Sequence, residues 1–123
     1  MTHYSGSTGC CEGYQLKSLV KEIQAYGVGG YKLVDNIDKT YKKVEGKAVG
    51  DDYMYKWHDG TWRVGVHIDS DNTGGWDTDK VWVKSVGSAP CPENVQQWEY
   101  FKSGQEAFLP GNGDIRVQCD PFI

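Results

Sequence analysis

Four cysteines, Cys10, Cys11, Cys91 and Cys119, bracket nearly the whole of this 123-residue chain, and any bonds between them must draw its two ends together. No pair has the Cys-x-x-Cys spacing of a zinc ribbon or a redox motif, so structural disulfides are the reading that suits them. Four cysteines allow three connectivities. Setting aside the strained bond between the adjacent Cys10 and Cys11 leaves two, and each ties the N-terminal segment to both Cys91 and Cys119. Closing a loop of ~100 residues stabilises a fold by roughly 3 to 5 kcal/mol in the chain-entropy model. Four reduced thiols in a cytosolic protein are the alternative.

The length suits one domain with one core. Residues 1–9 are rich in Ser, Thr and Gly and read as a disordered lead, with residues 10–123 forming a single disulfide-stapled domain. Five Trp, eight Tyr and three Phe must supply much of the apolar area, and sixteen Gly against four Pro point to frequent tight turns between short strands. A net charge of −4 argues against nucleic-acid or anionic-membrane partners, which need a basic face. Lys39, Lys42, Lys43 and Lys47 cluster locally, but Asp38 lies beside them and Glu45 among them, and the group reads as a solvated edge. No apolar run is long enough to cross a bilayer, and no signal-peptide core opens the sequence, so a secreted protein would be represented in its mature form.

Leu16, Leu19, Val20 and Ile23 recur at helical spacing ahead of Gly27, the stripe of an amphipathic helix, but a strand followed by a turn fits the same residues, and both readings stay open. Beyond it the punctuation is that of strands: 30–34, 40–44, 81–86, 98–101, 107–109 and 115–119, with turns at Ser103-Gly104 and Gly111-Asn112-Gly113. Between 52 and 68, Asp59-Gly60 predicts a type I′ hairpin with a two-residue loop. That register sets Trp57 opposite Trp62, Tyr55 opposite Val64 and Tyr53 opposite Val66. It sends these residues and Ile68 to the core, and Met54, Lys56, Arg63, Gly65 and His67 to the other face. Roughly seven short strands predict a mostly β fold: a single antiparallel sheet curled into a barrel or sandwich, with the N-terminal helix left open.

Several landmarks recur in order: Gly29 to Tyr31, Tyr41 to Lys43, Tyr53 to Tyr55, Trp62 to Gly65, Cys91-Pro92, Trp98 to Tyr100 and Val117 to Cys119. Over residues 11–119 their order resembles a Cys-bounded, aromatic-rich extracellular module of mosaic secreted and cell-surface proteins of invertebrates. The resemblance implies a disulfide-bonded, β-rich structural or recognition unit with no catalytic residues to carry over. The stretch from Leu16 to Tyr26 departs from it.

Candidates for chemistry are few. His3, His58 and His67 lack a paired nucleophile, and Glu45, Glu93, Glu99 and Glu106 have no spacing that makes a glycosidase pair, so the expectation is no enzyme. Asp69, Asp71, Asp77 and Asp79 fall in one eleven-residue loop and can gather around Ca²⁺, but Lys80 stands where an EF-hand needs its bidentate Glu. A looser Ca²⁺ loop and a solvated loop both remain open, and no other cofactor is expected. Trp76 in that loop and Trp82, expected to face outward between Lys80 and Lys84, are the best functional clue. With Tyr100, Lys84, Arg63 and His67 they predict a glycan or extracellular-matrix surface; packing of both Trp rings in the core is the alternative. The expectation is a secreted binding module, with a self-associating structural or adhesive building block as the second reading and a carrier of apolar ligands as the third.

Overall fold

The computed structural model describes residues 9–37, 39–47, 49, 52–66, 81–102, 104–105 and 107–123. Among these, nine strands form one antiparallel sheet: β1 (Gly13–Lys17), β2 (Gly29–Asp35), β3 (Thr40–Glu45), β4 (Tyr53–Lys56), β5 (Trp62–Gly65), β6 (Val81–Ser85), β7 (Trp98–Lys102), β8 (Ala107–Pro110) and β9 (Arg116–Cys119). Consecutive strands pair from β1 to β8, and β9 returns to pair with β1, so β8 and β9 are the two edges. This order dictates curvature. In a flat sheet, eight gaps of ~4.8 Å would hold the edges about 38 Å apart. Residues 111–115 alone join them, and chain of that length reaches only about 20 Å. The sheet therefore curls into a half-barrel, in keeping with the mostly β, barrel-like class that the strand spacing predicts.

Alternation sorts the side chains into two rows. Tyr41, Met54, Val64, Val83, Tyr100 and Leu109 are successive cross-strand partners from β3 to β8 and form the inner row. Thr40, Tyr55, Arg63, Lys84, Glu99 and Pro110 form the outer one. The core gathers on the inner side, where Tyr14, Leu16, Tyr31, Trp62, Trp98 and Ile115 join the first row. Two bonds, Cys10–Cys91 and Cys11–Cys119, select one of the two connectivities left open by the sequence.

Of the two readings left open for the N-terminal stretch, the strand and turn form and the helix does not. Leu16 lies in β1, buried between β2 and β9, while Leu19 is 85% exposed, so the apparent stripe serves two different structures. Lys21–Ile23 make a single 3₁₀ turn. This turn drops Ile23 into the core, and Gly27 then passes close to Val83, where a Cβ would lie 3.3 Å from Val83 Cγ2. An ion pair between Glu22 and Lys102 fastens the turn to β7.

The β4–β5 hairpin is one residue out of its predicted register. Lys56 faces Trp62, Tyr55 faces Arg63, Met54 faces Val64 and Tyr53 faces Gly65. Asp59 does not adopt the positive φ that a type I′ turn requires. Its carboxylate instead accepts from the Thr61 amide (2.9 Å) and hydroxyl (2.7 Å). The loop thereby gains His58, with Gly60 at φ 90° as its left-handed residue. Trp62 goes inward with Met54 and Val64, while Tyr55 and Trp57 lie on the outer side, and all five are buried. The predicted register supposes that only one face of this hairpin is dry. Met54 and Gly65 belong to the buried set, Tyr53 and Val66 are half-buried, and Ile68 lies outside the described residues.

Candidate functional site

Of the residues expected to bind a ligand, Arg63 and Lys84 are neighbours on the outer row. Both charges are engaged. The Arg63 guanidinium lies 4.9 Å from the Trp57 ring centre and 3.6 Å from the Asp59 carboxylate. Lys84 pairs with Glu99 at 3.4 Å and sits 4.5 Å from the Phe108 ring. Tyr100 lies across the sheet from them, half-buried on the inner row between Val83 and Leu109. Trp76, His67 and the acidic residues Asp69, Asp71, Asp77 and Asp79 lie outside the described residues, as does His3.

Trp82 is not the exposed ring that simple alternation predicts. Val64 pairs with Val83 and Gly65 with Val81, so Trp82 is the extra residue of a β-bulge with no partner opposite it. It is half-buried, packed against the core and stacked on Tyr26, with ring centres 5.0 Å apart and planes 28° apart. Its indole N–H donates to Asp52 Oδ1 at 3.1 Å. The other Asp52 oxygen pairs with Lys43 at 3.0 Å, and both side chains are almost wholly buried. Lys43 also donates to the Lys47 and Tyr26 carbonyls, at 2.9 and 3.2 Å, so its three N–H groups have three acceptors. Burial lowers the Lys43 pKa, with Asp52 opposing the shift.

Lys43 is therefore no part of a solvated edge. Its inner-row position beside Tyr31 requires a partner, and Asp52 supplies it. The result is a fixed aromatic step. Tyr26, 49% exposed, rests on an indole that a buried carboxylate holds in place. Sequence reasoning singled out Trp82 but missed Tyr26 and Asp52. Neither had a usable signal: the expected hairpin register put Met54, and with it Asp52 two residues earlier, on the outer face, and nothing in the sequence marked Tyr26.

A second polar group surrounds the Cys11–Cys119 bond. The Tyr14 hydroxyl donates to Glu93 at 2.5 Å and accepts from the Cys11 amide at 2.9 Å, while the Tyr41 hydroxyl donates to the Cys11 carbonyl at 2.7 Å. Burial raises both phenols, Tyr14 with help from Glu93 and Tyr41 up to about 12. Cys11, Glu93 and Cys119 lie as close together as the ligands of a metal site would. With both sulfurs bonded to each other, no thiolate is present to act as a ligand.

No family model matches the chain, and no match was found among curated proteins or solved structures. Among the described residues no helix is long and apolar enough to cross a membrane.

Proposed function

We propose that this chain is an extracellular, non-enzymatic binding module that recognises glycan or matrix surfaces. The observation that carries the reading is the Tyr26–Trp82 step, a half-exposed ring held flat by stacking and by the indole bond to Asp52. A rigid aromatic surface of this kind suits the C–H face of a sugar and loses little entropy when it binds one. Two disulfides support an oxidising compartment. On a glycan array the protein is expected to bind a defined subset of sugars, and titration with one of these should change Trp fluorescence. Tyr26→Ala and Trp82→Ala each abolish the change. A folded double variant that binds as well as the parent would remove this reading.

Self-association is a second reading, drawn from Leu19, Ile37 and Phe122, which stand 85%, 90% and 94% exposed. It requires a mass that rises with concentration in sedimentation. A monomer at all concentrations would exclude it.

A further inference from the structure

A cleft of about 350 Å³ opens where the ends of β6, β7 and β8 meet the β8–β9 connection. This is near the lower end of the size range of small-molecule sites, about 300 to 1,000 Å³. Its apolar part is built from the exposed Val86 and Pro110 over the buried Trp98 and Ile115, and its polar part from the amides of Gln96, Gln97 and Asn112. Glu99 is the one charged side chain among the lining residues described, and Lys84 already neutralises it at 3.4 Å.

Backbone bonds fix the frame of this cleft. The Val86 amide donates to the Gln97 carbonyl and the Gly111 amide to the Trp98 carbonyl, both at 2.9 Å. Asn112 and Gly113, at φ 55° and 83°, form a type I′ turn closed by the Asp114 amide on the Gly111 carbonyl. Gly111 admits no side chain, because a Cβ would lie 2.9 Å from Ile115 Cδ1 and 3.0 Å from the Trp98 carbonyl oxygen. The three amide side chains, in contrast, are exposed and hold no hydrogen bond to other described residues.

We infer that this cleft binds a neutral polyhydroxylated ligand, a sugar ring without sulfate or carboxylate. Each amide offers both donors and an acceptor, which matches hydroxyl groups that also do both. The exposed Val86 and Pro110 side chains, backed by the buried Trp98 and Ile115, accept the ring's C–H face. An anion would find no free positive charge among the lining residues described, and their one carboxylate is already paired. The site is separate from the Tyr26–Trp82 step, and neither reading depends on the other.

The test is ¹H–¹⁵N NMR of the intact oxidised protein with maltotriose, cellotriose and chitotriose as neutral probes and a heparin tetrasaccharide as the anionic one. At least one neutral probe is expected to shift the side-chain NH₂ signals of Gln96, Gln97 and Asn112, while the heparin probe leaves them in place. Gln97→Ala and Asn112→Gly, the second compatible with the turn, should each weaken binding about tenfold, the scale of one hydrogen bond. Three neutral probes without effect at about 10 mM, shifts caused by the heparin probe alone, or full affinity in both amide variants would each overturn the proposal. Loss of the Trp fluorescence change in Trp82→Ala with these shifts intact would leave the proposal standing and separate the two sites.

Discussion

Tyr41 and Lys43 sit two residues apart on the same side of β3, and each begins a polar network inside the half-barrel. Tyr41 leads to the Cys11 carbonyl, Tyr14 and Glu93, where the backbone is pinned by sulfur bonds and the buried donors are neutral phenols. Lys43 leads to Asp52, Trp82 and Tyr26, where a buried charge depends on its partners alone. Neutral donors cost little to bury once bonded, whereas an ammonium is tolerable only while every acceptor stays in place. The first network should thus resist loss of one hydrogen bond, and the second should fail as a unit.

The strongest way to break the contrast is to remove sulfur. Because Cys10 and Cys11 are adjacent, the first bond closes a loop of 81 or 108 residues. The second then closes only the roughly 28 residues between Cys91 and Cys119, so it contributes about 3.6 kcal/mol by loop entropy. Cys10→Ser with Cys11→Ser is expected to cost about 8 kcal/mol and to leave the chain largely unfolded by circular dichroism. Cys11→Ser with Cys119→Ser costs about half as much and leaves it folded. Equal losses from the two variants would show that the loops are not nested in this way.

Next in size is Lys43→Met, which strands the buried Asp52 carboxylate and should cost about 3 to 5 kcal/mol in urea unfolding. Lys43→Met combined with Asp52→Leu should recover much of it. If the single variant is as stable as the parent, the pair is not buried as described.

The smallest effect separates the networks by pH. The folded chain keeps the Tyr41 proton up to about 12, whereas the unfolded chain begins to release it near 10. The stabilisation is whole below pH 10 and falls by about 2 to 3 kcal/mol between pH 10 and 12. Lys43, shifted downward by burial, acts in the opposite sense, and its contribution rises as pH approaches 10.5. Tyr41→Phe should flatten the alkaline loss without removing it, since burial also raises Tyr14 and Tyr31. Superimposable profiles for parent and variant would place the Tyr41 hydroxyl in water.

Much of the fold was legible because strand signals are local. Aromatic and β-branched runs between Gly, Asn and Asp marked β2 to β9, and cysteine spacing narrowed the bonds to two patterns. What escaped depended on contacts distant in sequence. Helical spacing at Leu16 and Ile23 gave no sign that β9 would return to cover β1. Asp-Gly specified a turn at the right place but with the wrong loop length, because the Asp59 bond to Thr61 competed with positive φ. Simple alternation failed at Trp82, where a bulge intervenes, and at Lys43, whose inward position was readable from Tyr41 but invisible as a stable choice without Asp52. The cleft amides gave no sequence signal, since only the meeting of β7 with the 111–115 connection brings them together.

The Cys11–Cys119 bond has a mechanical consequence. A pull on the two ends of the oxidised chain passes from residue 11 to residue 119 through two sulfur atoms, so the sheet hangs beside the line of force and carries none of the tension. Reduction of both bonds would shift that load to the ladder between β1 and β9, whose antiparallel strands can be peeled apart from one end.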